Sequence, residues 1–203
     1  MNQRTQIDLL RHGELETPAL FCAKSDEPLS DKGLQNLLKA TRNGAWDFII
    51  SSPYKRCQDF AKTLVKQKEC ELIIDPAFQE MDFGRWTGIP TKTLWEQESA
   101  SLKNLWDSPE LFIAPSGESM SDFTQRINKG WQALLAEYEN SNVLLITHAG
   151  VIRTVLTEAL KMSHQSALSF NIEYAHLSQL HYYSDGVYSL RSHGLSHCKK
   201  ESK

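Results

Sequence analysis

The sequence lacks an apolar run of about 18 residues and an N-terminal apolar segment before a small-residue cleavage site, the marks of a membrane span and a signal peptide. It also lacks paired cysteine spacing, because its four cysteines are scattered at positions 22, 57, 70 and 198. These absences predict a cytoplasmic protein with reduced thiols. The net charge of −3 offers no basic excess, so we expect neither nucleic-acid nor membrane partners.

Short apolar runs alternate with helical patterns along the chain, which predicts an α/β fold. Strands are expected at 7–10, 48–50, 72–74 and 143–146, with a hairpin over 177–190. Ser30 is a predicted helix N-cap, and Ser52 is expected to cap a second helix that begins at Pro53. Ser119 is expected to begin another helix. We expect one domain over residues 1–191, followed by a polar tail at 192–203.

Two of the predicted strands end in a histidine followed by a small residue. Arg11-His12-Gly13 follows the first apolar run, and His148-Ala149 follows the run at 143–146. Ligands of open α/β sheets bind at the carboxyl ends of the strands, so a histidine beside a fixed cation there is suited to phosphate. A lone histidine in this position is more often a capping residue, but two in equivalent settings favour a catalytic site.

Arg56 and Glu80 add two charges to this candidate site. Arg56 lies in the first turn of the predicted helix and off its apolar stripe, where a cation opposes the helix dipole and an anionic ligand would explain it. Glu80 lies between aromatic residues and glycines in a predicted loop, where partial burial would suit a carboxyl group to donate a proton near neutral pH. The alternative for Glu80 is an ordinary surface carboxylate.

Together, the segments 11–13, 26–33, 51–56, 80–86 and 147–148 resemble the motifs of the histidine phosphatase superfamily, in the expected order. The resemblance implies the phosphoglycerate-mutase-like fold, a three-layer αβα architecture with a mostly parallel central sheet flanked by helices. It also implies an enzyme that hydrolyses a small-molecule phosphate ester and uses neither a metal nor a cofactor.

The resemblance assigns a role to each matched residue. His12 would be the nucleophile that becomes phosphorylated, and Glu80 would act as acid and then as base. Arg11, Arg56 and a protonated His148 would bind the phosphoryl oxygens, with Gly13 and Ala149 also contacting the phosphate or substrate. Three positions depart from the family pattern. Many relatives have threonine and asparagine where this chain has Leu15 and Pro18, and many have glycine in place of Ala149.

The segment 89–118 is predicted to cover the substrate, because it is the least regular stretch and is rich in apolar residues. The aromatic candidates for this cover are Trp86, Trp95, Trp106 and Phe112. Such a cover would suit an aromatic leaving group, and the alternative is that these side chains simply pack on the domain. The run 106–119 is most similar to the bacterial α-ribazole-5'-phosphate phosphatases, which implies α-ribazole 5'-phosphate as substrate in cobalamin synthesis.

Other functions stay open from sequence alone. A broad small-molecule phosphatase and a cofactor-dependent phosphoglycerate mutase are the competing enzymes, and a phosphate-ester sensor without turnover is the non-enzyme alternative. The mutase is disfavoured because it must hold a second anionic group, whereas Arg85 is the one arginine in 81–116. In the tail, His193, His197 and Cys198 could bind a metal, but a disordered tail is favoured. A homodimer is left open.

Overall fold

The computed structural model describes residues 4–17 and 27–194, and its centre is a six-stranded sheet with the order β3-β2-β4-β1-β5-β6. The strands are β1 (Arg4–Arg11), β2 (Phe48–Ser51), β3 (Glu71–Ile74), β4 (Asn142–Thr147), β5 (Leu177–Tyr183) and β6 (Tyr188–His193). The first four pair in parallel, while β5 and β6 are antiparallel to their neighbours. The sheet is therefore mostly parallel, as predicted.

Seven helices accompany the strands in the described part of the chain. They are α1 (Asp31–Thr41), α2 (Lys55–Lys68), α3 (Thr91–Gln97), α4 (Ser99–Asp107), α5 (Met120–Glu137), α6 (Ala149–Ala159) and the single turn α7 (His164–Ala167). The predicted caps of α1 and α5 are confirmed: the hydroxyl of Ser30 accepts from the Gly33 amide, and that of Ser119 accepts from the Asp122 amide.

Two apolar cores on opposite faces of the sheet confirm the three-layer αβα architecture. Because side chains alternate along a strand, Leu144 and Ile146 of β4 pack with α1 and α2, while Val143 and Leu145 pack with α5 and α6. The central strands β1, β2 and β4 are buried on both sides. Their carboxyl ends are thereby fixed in position, which is what a site built on them requires.

Two sequence predictions about local structure are wrong. The helix α2 begins at Lys55 with Tyr54 as its N-cap, not at Pro53 with Ser52, because the Ser52 hydroxyl lies 2.7 Å from His148 Nε2 instead. The segment 89–118 is not irregular, since it contains α3, α4 and a short 3₁₀ turn at Pro109–Leu111. These short helices lack strong caps and long apolar stripes, so the sequence signal for them is weak.

The C-terminal hairpin extends further than predicted. Strand β6 continues to His193, two residues past the expected domain end, and its pairing with β5 reaches the Ser178–His193 register. His197 and Cys198, for which metal binding is the less favoured alternative, lie outside the described residues, as do Pro18 and Cys22. Cys57 and Cys70 are free thiols. Among the described residues, no helix is both long and apolar enough to cross a membrane.

Candidate active site

The carboxyl ends of three adjacent strands bring the predicted residues together. Arg11 is paired with Thr147 in the β1–β4 register, and the His12 amide donates to the Thr147 carbonyl at 2.9 Å. As a result the rings of His12 and His148 lie with centroids 5.3 Å apart. Ser52, at the end of β2, is tied to the same edge because its amide donates to the Ile146 carbonyl at 3.0 Å.

The His12 imidazole is buried and held in one orientation. Its Nδ1 lies 2.9 Å from the Gly13 carbonyl oxygen, which can only accept, so Nδ1 carries the proton and Nε2 carries the free lone pair. Burial, followed by the charges of Arg56 and Arg11, lowers the pKa of His12 well below its usual value. His12 is therefore a neutral imidazole at neutral pH, the form that can act as a nucleophile.

Gly13 contributes close packing at this strand end. A Cβ atom on Gly13 would lie 2.5 Å from the Gly33 carbonyl oxygen, so the absent side chain lets the loop after His12 rest on the first turn of α1. This contact fixes the carbonyl that orients His12. Leu15, where many relatives have threonine, is buried and forms a β-bridge with Leu29.

Two guanidinium groups lie beside His12. Arg11 donates to the Ile172 carbonyl at 2.7 Å and lies 4.0 Å from the centre of the Tyr174 ring. Arg56 is in the first turn of α2 and is only 1% exposed, although the sequence places it off the apolar stripe of that helix. It is buried because this side of α2 faces the strand ends rather than solvent. Both charges act electrostatically on His12 and His148.

His148 is completely buried and differs from its predicted state. Burial and the charges of Arg56, His12 and Arg11 lower its pKa well below the usual value, so it is neutral rather than protonated in the ligand-free site. The Ser52 hydroxyl lies 2.7 Å from Nε2, and Nδ1 is buried without a hydrogen-bond partner in the part of the chain that the structure describes. If Ser52 donates to Nε2, Nδ1–H is an unused donor beside His12.

Glu80 is fixed next to this group by two backbone amides. Its Oε1 accepts from the Met81 amide and its Oε2 from the Gly150 amide in the first turn of α6, each at 3.1 Å. A Cβ atom on Gly150 would overlap Glu80 Oε1, so the absence of a side chain at Gly150 lets Glu80 take this position. The Thr147 hydroxyl donates to the Phe78 carbonyl at 2.7 Å, which attaches the Glu80 loop to the end of β4.

A partly buried ion pair braces the Glu80 loop from the other side. Arg126 of α5 forms a bidentate pair with Glu118 at 3.0 and 2.8 Å and also donates to the carbonyls of Ala77 and Gln79. The Glu118 amide in turn donates to the Asp82 carbonyl at 2.8 Å. Sequence reasoning missed the role of Arg126, because a polar residue on an amphipathic helix normally indicates a solvated face.

A pocket of about 340 Å³ adjoins Glu80. Its walls come from the segment 89–118, from α5 and α6, and from α7, and they include Glu80, Phe83, Trp95, Leu105, Trp106, Pro109, Phe123, Ala149 and Arg153. The two tryptophans pack on each other with ring centroids 5.4 Å apart and stay 46% and 37% exposed. Trp86 and Phe112 do not line this pocket. They pack together in the apolar core, so the expectation that they cover substrate is wrong.

Arg153 and Tyr174 are two further site residues that sequence reasoning did not identify. Tyr174 contacts both the Arg11 guanidinium and the His12 ring, the latter with centroids 5.6 Å apart. Arg153 follows Gly150 by one turn of α6, so the two residues lie on the same face of the helix. The helical period of the sequence could therefore have identified Arg153 as a residue near the site. Within the described residues, no group of three or more histidine, cysteine, aspartate or glutamate side chains could hold a metal ion.

This geometry joins an imidazole with a free lone pair, two guanidinium groups and a carboxyl group at one sheet edge, a combination suited to phosphoryl transfer. The histidine phosphatase superfamily (branch 1) model matches residues 7–193. The chain therefore belongs to the histidine phosphatase superfamily, and it is an enzyme of the histidine phosphatase type with the phosphoglycerate-mutase-like fold.

Relatives within this superfamily differ in function and length. A bifunctional protein of Mycobacterium tuberculosis is 28% identical over 193 residues, and the alignment covers 92% of this chain but only 53% of that protein. The chain thus spans about half the length of the mycobacterial relatives it matches. A protein of Proteus mirabilis named a probable phosphoglycerate mutase is 28% identical, over 87% of this chain and 85% of the relative.

Two further similarities concern α-ribazole phosphatases. The adenosylcobalamin/α-ribazole phosphatase of Escherichia coli is 24% identical over 81% of this chain and 84% of its own. The crystal structure of the α-ribazole phosphatase from Shigella flexneri superposes with a TM-score of 0.82 at 22% identity, covering 94% of this chain and 96% of that one. At this identity the superposition supports the fold.

Proposed function

We propose that this protein is a metal-independent phosphomonoesterase that acts through a phosphohistidine on His12. The observation that carries the proposal is the bond from His12 Nδ1 to the Gly13 carbonyl in a buried, neutral imidazole beside Arg11 and Arg56. It gives Nε2 the lone pair that must attack phosphorus. The two guanidinium charges supply the electrostatic stabilisation that a phosphate dianion otherwise needs from a metal.

In the first half of the reaction, His12 Nε2 forms a bond to phosphorus while the bond from phosphorus to the ester oxygen breaks. The protonated carboxyl group of Glu80 gives its proton to the departing oxygen, which is too basic to leave as an alkoxide. Arg11, Arg56 and Nδ1–H of His148 donate to the phosphoryl oxygens. His148 acts here as a neutral donor, which the lowered pKa and the unused Nδ1 both support.

In the second half, water attacks the phosphorus of phosphohistidine and the Glu80 carboxylate takes the water proton. The bond from His12 Nε2 to phosphorus breaks, which returns neutral His12, protonated Glu80 and inorganic phosphate. Glu80 must serve both the ester oxygen and the water. Its fixation by the Met81 and Gly150 amides supports this, because one placement then suits both steps.

For the substrate we propose α-ribazole 5'-phosphate, hydrolysed in the cytoplasm to α-ribazole and phosphate in cobalamin nucleotide-loop synthesis. Two observations support this choice. The pocket next to Glu80 carries the exposed Trp95–Trp106 pair, on which a benzimidazole ring could stack. Two relatives that align over most of their own length are named adenosylcobalamin/α-ribazole phosphatases. A broad specificity for small phosphate esters is the alternative.

The test is to mix the protein with ³²P-labelled α-ribazole 5'-phosphate in the presence of a chelator and to quench within milliseconds. We expect an acid-labile, base-stable phosphoryl adduct that His12→Ala abolishes together with turnover. Undiminished turnover of His12→Ala would overturn the nucleophile assignment. With 3-phosphoglycerate, isomerisation instead of phosphate release would indicate a mutase, and binding without turnover would indicate a sensor.

A further inference from the structure

Arg153 places a cation inside the pocket that lies beyond the phosphate site. Its Nε donates to the Phe170 carbonyl at 3.2 Å, and its two terminal nitrogens have no hydrogen bond or ion pair with any residue that the structure describes. The side chain is half-buried and lines the same pocket as Glu80 and Trp95. A guanidinium group whose terminal nitrogens have free N–H donors in a mostly apolar cavity can bind the acceptor oxygens of a ligand.

The position of Arg153 along the pocket defines which part of a ligand it would meet. Residue 153 is one helical turn from Gly150, whose amide holds Glu80, and long helical side chains point back toward the helix N-terminus. The guanidinium is therefore on the side of the pocket near the ester oxygen, where Glu80 and Arg153 interact electrostatically. Trp95, Leu105, Trp106 and Pro109 contribute apolar surface to the same pocket.

The site thus combines the cations beside His12 with a pocket that is lined by Glu80, Arg153 and the tryptophan pair. We infer that Arg153 is a specificity-determining residue that binds acceptor oxygens on the leaving group close to the ester oxygen. The substrate class is then a phosphate monoester whose leaving group has hydroxyl or carboxylate oxygens near the phosphate. This inference rests on the proposed phosphatase function, but it does not depend on α-ribazole 5'-phosphate being the substrate.

A series of three matched esters tests the inference. Propyl phosphate has no acceptor oxygen besides its phosphate, sn-glycerol 3-phosphate adds two hydroxyls, and 2-carboxyethyl phosphate replaces the terminal methyl by a carboxylate. We expect the wild-type protein to prefer at least one oxygenated ester to propyl phosphate in kcat/KM. The Arg153→Met variant should reduce that ratio by about tenfold or more, the scale of hydrogen bonds to a charged group.

Two variants control for nonspecific effects. Arg153→Lys keeps the cation without the planar fork and should retain part of the ratio. Arg85→Met removes an exposed arginine that does not line the pocket, and should leave the ratio unchanged. Which of the two oxygenated esters loses its advantage identifies the acceptor as hydroxyl or carboxylate. If Arg153→Met lowers kcat/KM for all three esters equally, or for none, the inference is wrong.

The preference for oxygenated esters can also be measured as binding affinity, without turnover. Calorimetric titration of the His12→Ala protein with the three esters gives dissociation constants, and Arg153→Met added to this background should weaken the oxygenated esters selectively. Selective weakening together with slow hydrolysis of α-ribazole 5'-phosphate would support Arg153 and reject the proposed substrate. Rapid hydrolysis of α-ribazole 5'-phosphate with unselective effects of Arg153→Met would support the substrate and reject the role of Arg153.

Discussion

At the scale of single residues, three of the charged or reactive groups of the site are oriented by a backbone partner. The Gly13 carbonyl selects the tautomer of His12, the Ile172 carbonyl holds Arg11, and the Gly150 amide holds Glu80. Backbone groups cannot change rotamer, so they pre-organise the site at little entropic cost when substrate binds. The site is therefore arranged for chemistry before any ligand arrives.

The proposed role of Glu80 predicts a dependence on the leaving group. Glu80→Gln cannot donate a proton, so it should slow the hydrolysis of alkyl phosphates by about 10²-fold or more, the usual scale of general acid catalysis. p-Nitrophenyl phosphate should be affected less, because p-nitrophenolate leaves without protonation. Steady-state kcat/KM on both esters measures the difference. The exposed Glu110 provides a matched control through Glu110→Gln, and equal losses on both esters in Glu80→Gln would contradict the role.

At the scale of elements, the catalytic groups and the substrate pocket come from different parts of the chain. The site residues at the strand ends are His12, Ser52 and His148, which follow β1, β2 and β4. These three strands pair in parallel and pack against apolar cores on both faces of the sheet. The wall with the tryptophans comes from α3 and α4, which are short and attached through a few core residues such as Leu94 and Leu102. In the proposed mechanism, the chemistry is therefore carried by the ends of the sheet strands and the selectivity by α3 and α4.

The tryptophan pair of α3 and α4 predicts a measurable preference for an aromatic leaving group. Trp95→Ala or Trp106→Ala should lower kcat/KM for α-ribazole 5'-phosphate by about fivefold or more while affecting propyl phosphate less, since stacking on an aromatic ring contributes about 1 kcal/mol or more. Leu111→Ala removes a 77% exposed side chain outside the pocket and is the control. Equal effects on both esters would show that the tryptophans only support the fold.

At the scale of the whole molecule, the site places two neutral buried histidines, the buried Arg56 and the half-buried Arg11 near the carboxyl ends of the central strands. Desolvating these cations costs stability, and no ion pair of Arg11 within the described residues compensates for its burial. The apolar cores on both faces of the sheet must offset this cost. Binding of phosphate should therefore stabilise the fold by supplying the missing counter-charge.

The buried neutral histidines predict a loss of stability in acid. Their pKa values are lower in the folded than in the unfolded state, so below pH 6.5 the unfolded chain binds more protons and the free energy of unfolding falls. Each histidine should remove up to about 2 kcal/mol between pH 6.5 and 5. Urea unfolding of the wild type and of a His12→Gln, His148→Gln double variant at pH 7 and 5 measures this. The same acid loss in both proteins would contradict it.

The sequence by itself determined the elements that carry strong local signals. The apolar runs, the caps Ser30 and Ser119 and the hairpin near the C-terminus are local in origin, and period and capping chemistry are sufficient to predict them. The superfamily could also be predicted, because His12, Arg56, Glu80 and His148 stand next to strands or turns in a specific order.

The tertiary structure alone decided how these residues work. The neutral state of His148 and the bond of Ser52 to His148 depend on atoms far apart in sequence that packing brings together and removes from water. The tautomer of His12 is set by the carbonyl of the adjacent Gly13, but the orientation of that carbonyl depends on the packing of Gly13 against Gly33. For the same reason the sequence could not separate Trp86 and Phe112, which are buried in the core, from Trp95 and Trp106, which line the pocket. Composition records which aromatic residues a segment contains, and burial against other elements decides which of them a ligand can reach.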